Sequence, residues 1–249
     1  MGKVLLISGA GGGLGSKVAM QCSESFGELV LLGRTRPPLE ALCARLGGGA
    51  TAHMVVADVS RHRELGDALS PFAKLDGLVN AAGMLGPVEK FGDEKWDEWA
   101  RTVDVNLVGN AALCHYALPK MRAARRGKIV NFAGGGSAYP RAYHSAYAAS
   151  KTAMVRFTEI LAQEHPEIDA NIIAPGAHNT GIWKTETHDK PPGKWADAAR
   201  FCDTVSFLLS EKSDGISGKF IHINDKWEEF TPGISKSGMY TLRRMEPER

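Results

Sequence analysis

Short, almost wholly apolar runs recur along the chain and alternate with longer stretches in which apolar residues repeat every three or four positions. Runs of the first kind are typical of parallel strands buried on both faces, and the second pattern is typical of amphipathic helices. The pattern predicts strands at 4–8, 29–33, 52–57, 77–80, 128–132, 170–174 and 219–223. It predicts helices near 14–25, 38–46, 61–70, 93–123, 145–165 and 196–210.

This alternation of strand and helix predicts an α/β fold. Successive right-handed crossovers place helices on both faces of a parallel sheet, so we expect a Rossmann-type, doubly wound, three-layer αβα architecture with about seven strands. No linker or low-complexity segment divides the sequence, and residues 1–249 are therefore interpreted as one domain. Residues 231–249 form a C-terminal extension, which could cover a neighbouring subunit or a substrate pocket, or could be a frayed tail.

Composition and charge argue against several classes of protein. The formal net charge of +2 gives no indication of a nucleic-acid partner. No apolar run reaches the roughly 18–20 residues that span a bilayer, so no membrane partner is expected. The four cysteines are isolated, and no Cys/His cluster has the spacing of metal ligands. We expect a cytoplasmic protein with reduced cysteines and no metal.

A glycine-rich turn, Ser8-Gly9-Ala10-Gly11-Gly12-Gly13-Leu14-Gly15, follows the first predicted strand and opens the first predicted helix. Glycines allow a ligand to approach the backbone closely, and a helix N-terminus offers free N–H groups and a partial positive charge to a pyrophosphate. The turn therefore predicts a dinucleotide site, although a flexible surface turn is the alternative. The expected contacts are Gly9, Gly11, Gly12, Gly13, Leu14 and Gly15.

Other motifs follow in a fixed order: Asp58-Val59, Asn80-Ala81-Ala82-Gly83, Asn106, Tyr147-xxx-Lys151, and Pro175-Gly176 with Thr180. With the glycine turn, they resemble the short-chain dehydrogenase/reductase family along nearly the whole chain. The resemblance implies an oxidoreductase that binds a nicotinamide dinucleotide. It also implies further cofactor contacts at Asp58, Val59, Asn80, Ala81, Gly83, Tyr147, Lys151, Pro175, Gly176 and Thr180.

The end of the second predicted strand bears on which dinucleotide is bound. Dehydrogenases that prefer NAD usually place a carboxylate here to bind the ribose hydroxyls, but this chain has Gly33 followed by Arg34. A guanidinium can pair with a 2′-phosphate and stack on adenine. We therefore expect NADP(H) in preference to NAD(H), with Arg34 as the main contact. Alternatively, Arg34 and Arg36 are only solvated loop residues.

Tyr147 and Lys151 are four residues apart on a predicted helix and so share one face. A nearby ammonium and a cationic nicotinamide would lower the pKa of the tyrosine, which could then exchange a proton with a substrate oxygen. The resemblance implies that Lys151 also holds the nicotinamide ribose. It implies that Asn106 holds a water leading to Lys151, although a purely structural asparagine is the alternative.

The chain departs from the family pattern at one catalytic position. The family's serine usually lies thirteen residues before the tyrosine, and that position is Gly134 here, within a triple-glycine turn. The next hydroxyl is that of Ser137, which the turn could bring back toward Tyr147. Alternatively, glycine N–H groups polarise the substrate oxygen, or the step is impaired. Tyr143, His144 and Ser145 are further candidates to line the pocket.

Together these features predict an enzyme that transfers a hydride between nicotinamide and a carbonyl or secondary alcohol carbon of a small molecule. A catalytically weak dinucleotide-binding sensor or scaffold is the alternative, because the usual serine is missing. A sugar epimerase or dehydratase is disfavoured because little chain remains for a separate substrate domain. The loop at 178–194 is expected to cover the substrate or simply to connect elements. The resemblance implies a homodimer or homotetramer.

Overall fold

A computed structural model describes residues 2–46 and 49–243 of the chain. Seven parallel strands form one sheet in the order β3-β2-β1-β4-β5-β6-β7. The strands are β1 (Val4–Ser8), β2 (Glu28–Gly33), β3 (Thr51–Val56), β4 (Gly77–Asn80), β5 (Lys128–Phe132), β6 (Asp169–Ala174) and β7 (Phe220–His222). The predicted doubly wound parallel sheet is confirmed, and no strand end differs from the prediction by more than one residue.

Helices cover both faces of the sheet. They are α1 (Gly13–Cys22), α2 (Arg36–Arg45), α3 (Leu65–Leu69), α4 (Trp96–Val103), α5 (Asn110–Ala123), α6 (Ser145–Glu164) and α7 (Ala198–Leu209). Leu5 and Ile7 of β1 pack in one apolar cluster with α1, α2 and α7, whereas Leu6 packs in a second cluster with α3, α5 and α6. Each such buried side chain contributes about 1.5–3 kcal/mol, which explains why the strand is apolar at successive positions.

The single helix predicted near 93–123 is divided into three parts. A π-helical segment, Asp104–Gly109, separates α4 from α5. The side-chain amide of Asn110 donates hydrogen bonds to the backbone carbonyl oxygens of Val105 and Asn106 at 3.3 and 3.1 Å. A side-chain donor that inserts into the helical ladder widens the turn, and such bulges often occur at functional sites. Here the bulge carries Asn106.

The described part of the C-terminal extension, residues 231–243, packs against β7, the last strand of the sheet. The Phe220 N–H donates to the carbonyl oxygen of Tyr240 at 2.7 Å, and Lys219 Nζ donates to those of Ser237 and Met239. The Leu242 N–H reaches Glu159 on α6 at 2.6 Å. These residues therefore cover the edge of their own sheet and are not frayed. Residues 244–249 lie outside the described residues.

The strand order reverses between β1 and β4. In open α/β sheets the crevice at such a switch point, beyond the carboxyl ends of the strands, is where ligands bind. The glycine turn that follows β1 and the segment Ala81–Gly83 that follows β4 meet at this place, because Gly9 lies directly against Ala82. The topology thus brings two of the predicted motifs together.

Candidate active site

A cleft of about 260 Å³, the nucleotide cavity, lies over the carboxyl ends of β1, β2 and β4. Seven predicted contacts line it: Gly9, Gly11, Gly12, Arg34, Val59, Ala81 and Gly83. Sequence reasoning missed eight others: Leu32, Gly33, Thr35, Pro38, Ala57, Ala82, Met84 and Val105. Most of the missed residues are neighbours of a motif residue, so position beside a motif was the only signal that could have identified them.

The glycine turn has the geometry that a pyrophosphate requires. Gly9 adopts φ 62, and a Cβ there would collide with the backbone of Ala82, so the turn can approach the β4 segment only with glycine. Gly12 is the N-cap of the ten-residue helix α1 and has no side chain to bond the first N–H groups. Because Gly12 lines the cavity, the N-terminus of α1 opens onto it, and its N–H groups and helix dipole fit the phosphates of a dinucleotide.

Several predicted contacts lie outside the nucleotide cavity. Asn80 is buried, and its amide donates to Asn131 Oδ1 at 2.8 Å and to the Asn110 carbonyl oxygen at 3.2 Å. It therefore ties β4 to β5 and α5. Leu14 packs against the apolar core, Gly15 is buried, and a Cβ on Gly13 would meet Thr180 Cγ2 at 2.7 Å.

Asp58 also acts on its own loop and does not line the cavity. Its Oδ1 accepts hydrogen bonds from the backbone N–H and the hydroxyl of Ser60 at 3.0 and 2.8 Å. Arg101 pairs with its other oxygen at 3.5 Å. Burial alone would raise the pKa of Asp58, but the Ser60 hydrogen bonds and the charges of Arg34 and Arg101 lower it overall. The charged carboxylate thus fixes the loop that presents Val59.

Lys151 and Asn106 meet beside the loop that follows β4. A Cβ built on Gly83 would stand 3.2 Å from Asn106 Oδ1 and 3.5 Å from Lys151 Nζ. Asn106 Oδ1 accepts a hydrogen bond from the Met84 N–H, and Asn106 Nδ2 donates one to the Met84 carbonyl oxygen, each at 2.9 Å. Lys151 Nζ donates to the Phe132 carbonyl oxygen at 2.9 Å, and burial lowers its pKa to about 8.

Tyr147 lies on α6 with its ring centroid 5.9 Å from Lys151 Nζ. Burial raises the pKa of Tyr147, and the opposing charge is the guanidinium of Arg141. In the protein alone, desolvation outweighs the opposing charge of Arg141, and a lowering of the tyrosine pKa by Lys151 together with a bound nicotinamide stays a prediction. At neutral pH the buried hydroxyl keeps its proton, which is the state needed to donate one.

The turn that follows β5 has no hydroxyl where the family pattern expects one. A Cβ on Gly134 would overlap the Tyr147 hydroxyl, so the tyrosine occupies the space that a side chain would need. Ser137 is only 2% exposed, and its hydroxyl oxygen accepts a hydrogen bond from the Gly134 N–H at 3.1 Å. The Ser137 hydroxyl therefore lies inside the turn. It also engages the N–H group of Gly134, which is then not available to a substrate.

A second cleft of about 590 Å³, the substrate cavity, lies over the carboxyl ends of β5, β6 and β7. Tyr147, Pro175 and Gly176 line it, as do Gly134, Gly135 and Gly136. Its apolar walls come mainly from Leu85, Ala138, Ala174, Ile182, Trp183 and Phe220. Cavities that bind small molecules combine such walls with a few polar groups. The predicted loop at 178–194 contributes to this wall and is therefore more than a connector.

A group of four charged or titratable residues, which we term the Arg141 cluster, joins the turn before α6 to this loop. Arg141 Nε and Nη2 donate to Asp189 Oδ2 at 2.8 and 2.6 Å, and Nη2 also donates to Glu186 Oε2 at 2.7 Å. His144 lies 2.9 Å from the same Glu186 oxygen, behind the cavity. Burial would raise the pKa of Glu186, but N–H groups of Asp189 and His188 and the His144 ring lower it to about 2.

The two cavities meet where Met84 lines the first and its neighbour Leu85 lines the second. A cleft that fits a dinucleotide thus lies beside a second cleft lined by the buried Tyr147, as in dinucleotide-binding α/β proteins. The family model described as short chain dehydrogenase matches residues 3–191. The chain therefore belongs to the short-chain dehydrogenase/reductase family, and the resemblance carried by its motifs is confirmed. It is an oxidoreductase that acts on CH–OH or C=O groups with NAD(P).

Known relatives match over most of their length. The chain is 30% identical to the D-threitol dehydrogenase of Mycolicibacterium smegmatis, over 87% of this chain and 89% of that protein. It is 33% identical to the benzil reductase ((S)-benzoin forming) of Saccharomyces cerevisiae, over 91% and 97%. A solved structure of an NAD+-bound xylitol dehydrogenase aligns with a TM-score of 0.80 at 26% identity, over 89% of this chain and 97% of that chain.

Among the described residues, no helix combines the length and apolar character needed to cross a membrane.

Proposed function

We propose that this protein is an NADP(H)-dependent reductase or dehydrogenase of small carbonyl compounds or secondary alcohols, with Tyr147 as the acid/base. When bound, the nicotinamide dinucleotide supplies or accepts the hydride. The observation that carries the proposal is the position of Tyr147, a buried hydroxyl that lines the substrate cavity next to Lys151 and whose pKa is raised by burial. In the reducing direction Tyr147 donates its proton to the substrate oxygen, and in the oxidising direction the phenolate removes one.

The preference for NADP(H) is supported by the charge of the nucleotide cavity. Arg34 is the one charged side chain lining it within residues 2–46 and 49–243, and it is exposed at the end of β2. No carboxylate from the same residues lines the cavity to repel a 2′-phosphate. A guanidinium can bind that phosphate through two N–H groups.

The remaining motif residues have two proposed roles. Gly9, Gly11, Gly12, Val59, Ala81 and Gly83 contact the dinucleotide directly, since they line the cavity. Gly13, Leu14, Gly15, Asp58, Asn80 and Thr180 act by holding the surrounding loops in place. Lys151 binds the nicotinamide ribose, and Asn106, whose Oδ1 lies on the same side of Gly83 as Lys151 Nζ, holds a water leading to Lys151. Pro175 and Gly176 flank the nicotinamide.

A second candidate function is dinucleotide sensing with little catalysis. One observation favours it: Gly134 has no side chain, and the Ser137 hydroxyl is directed into the turn and away from the cavity. A sensor would bind NADPH well but would not turn over carbonyl or alcohol substrates. The same measurements therefore separate the two functions.

The test uses compounds that appear in the names of the related enzymes. NADPH oxidation is followed at 340 nm with benzil, and NADP+ reduction is followed with D-threitol and xylitol, with Tyr147→Phe as the inactive control. Turnover that depends on Tyr147 supports the proposal, whereas tight NADPH binding without turnover supports the sensor.

The remaining parts of the proposal have tests of their own. Fluorescence titration with NADPH and with NADH tests the cofactor preference. Sedimentation tests the proposed homodimer or homotetramer, and fractionation of the native host tests the proposed cytoplasmic location.

A further inference from the structure

The substrate oxygen needs a second polar contact besides Tyr147, and the usual one is missing. Position 134 has no side chain, and the Tyr147 hydroxyl fills the space that a serine would need. The Ser137 hydroxyl is buried in the turn and accepts a hydrogen bond from the Gly134 N–H. That N–H is therefore not available to the substrate oxygen. A carbonyl oxygen that gains negative charge during reduction requires a donor near the hydroxyl. Another group of the cavity wall can supply that donor.

Arg141 is well placed to supply it. It is the one arginine or lysine that lines the substrate cavity in the described part of the chain. Its Nε and Nη2 are bonded to Asp189 and Glu186, but no described residue bonds to Nη1. A Cβ on Gly135 would stand 3.3 Å from this Nη1. The guanidinium is therefore held on one side by two carboxylates and has a free N–H edge over the glycine turn.

The same turn brings Arg141 and Tyr147 to adjacent positions. A Cβ on Gly134 would meet the Tyr147 hydroxyl and a Cβ on Gly135 would stand 3.3 Å from Nη1, and both Arg141 and Tyr147 line the substrate cavity. A substrate oxygen bound in this part of the cavity therefore has both groups in its wall. The charge of Arg141 also reaches the tyrosine, because it opposes the effect of burial on the pKa of Tyr147.

We infer that Arg141 takes the place of the missing serine, and that its Nη1 binds and polarises the substrate carbonyl oxygen while Tyr147 protonates it. The inference rests on the proposed reductase function. Hydride addition to the carbonyl carbon moves the π electron pair onto oxygen. That oxygen takes the proton of Tyr147 and leaves a phenolate, whereas Arg141 donates an N–H hydrogen bond and keeps its proton. Glu186 and Asp189 neutralise the guanidinium and fix its direction.

Arg141→Lys tests this role, because lysine can keep an ion pair with Glu186 and Asp189 but has no planar N–H edge over Gly135. With benzil and NADPH we expect kcat to fall roughly 100- to 1,000-fold, as for loss of one oxyanion donor. The Kd for NADPH and the melting temperature should stay close to those of the parent. The isotope effect with NADPH deuterated at the transferred position should increase, since hydride transfer becomes slower than product release. Arg156→Lys, on the outer side of α6, is the matched control and should change none of these values.

Asp189→Asn separates polarisation from simple anchoring of the loop. It removes a charged anchor of Arg141 but leaves Nη1 in place, so its kcat should fall much less than that of Arg141→Lys. If the two variants lose kcat equally, or if Arg141→Lys keeps kcat within threefold of the parent, the inference is wrong. If Arg141→Lys does not fold, Arg141→Gln is measured against the same criteria. An unaltered protein that binds NADPH but transfers no hydride would instead overturn the proposed function itself.

Discussion

The nucleotide cavity and the substrate cavity are built by different means. The first is formed mainly by backbone, because glycines after β1 and small residues after β4 form its walls. Among the described residues, Arg34 is the charged side chain that lines it. Side chains from distant segments build the second: Arg141 bonds to Glu186 and Asp189, which lie 45 and 48 residues further along the chain. The first therefore depends on local turns and the second on a tertiary cluster of charges.

This difference explains where the chain keeps the pattern of its family and where it departs from it. A pyrophosphate is recognised by N–H groups and close backbone approach, so few residue types other than glycine serve there. A substrate oxygen can be polarised by any suitably placed donor, and a hydroxyl at position 134 is not the only solution. The predictions below test whether the departure is confined to the substrate cavity.

Tyr147→Phe should have the largest effect and should act only on the substrate cavity. Loss of the acid/base should reduce kcat with benzil by roughly 100- to 10,000-fold, because no other described hydroxyl replaces the proton donor beside Lys151. The Kd for NADPH should change little, since Tyr147 does not line the nucleotide cavity. Steady-state kinetics and fluorescence titration measure the two values. Unchanged kcat would contradict the assignment of Tyr147.

The sequence predicted the sheet and the nucleotide cavity better than the substrate cavity. Strands such as β1 are apolar at successive positions because both faces are buried, and the glycine turn encodes its own shape. The Arg141 cluster gave no such signal, since its partners come together only when the loop folds over the sheet. The π-helical segment was missed for a similar reason, because it depends on the side-chain bonds of Asn110 and not on apolar spacing.

Gly134→Ser asks whether the family's serine can simply be restored. The added Cβ would overlap the Tyr147 hydroxyl, so we expect the variant to displace the tyrosine and to lose activity. The loss in kcat should be about 100-fold, since misplacement of a reacting group by about 1 Å has an effect of that size. Gly181→Ser, where a Cβ meets no atom within 4 Å, is the control. A gain in kcat on restoring the serine would show that the chain lacks an effective substitute.

Glu186→Gln should weaken the fold of the substrate cavity without affecting the nucleotide cavity. The pKa of Glu186 is lowered to about 2, so its ionised form, bonded to Arg141 and His144, stabilises the folded state above the unfolded pKa of about 4.5. That contribution is lost as the pH falls through this range toward 2. We expect a loss of about 2 kcal/mol at pH 7, allowing for the partly exposed Asp189 side of the cluster. Urea unfolding at pH 7, 4 and 3 should show the difference from the parent shrinking as the pH falls; a constant difference would contradict the argument.

Arg34→Glu should have the smallest effect and should be confined to the nucleotide cavity. Replacing Arg34, the one cation that lines that cavity among the described residues, with a carboxylate removes the partner of a 2′-phosphate and adds a repulsive charge, so the Kd for NADPH should rise roughly 10-fold. The Kd for NADH should change much less, because NADH has no phosphate at that position. Arg36→Glu is the matched control: Arg36 is exposed on α2, lies 3.8 Å from Glu40, and does not line the cavity. If both variants weaken NADPH binding equally, the effect is one of general charge, and the preference for NADP(H) does not depend on a direct contact with Arg34.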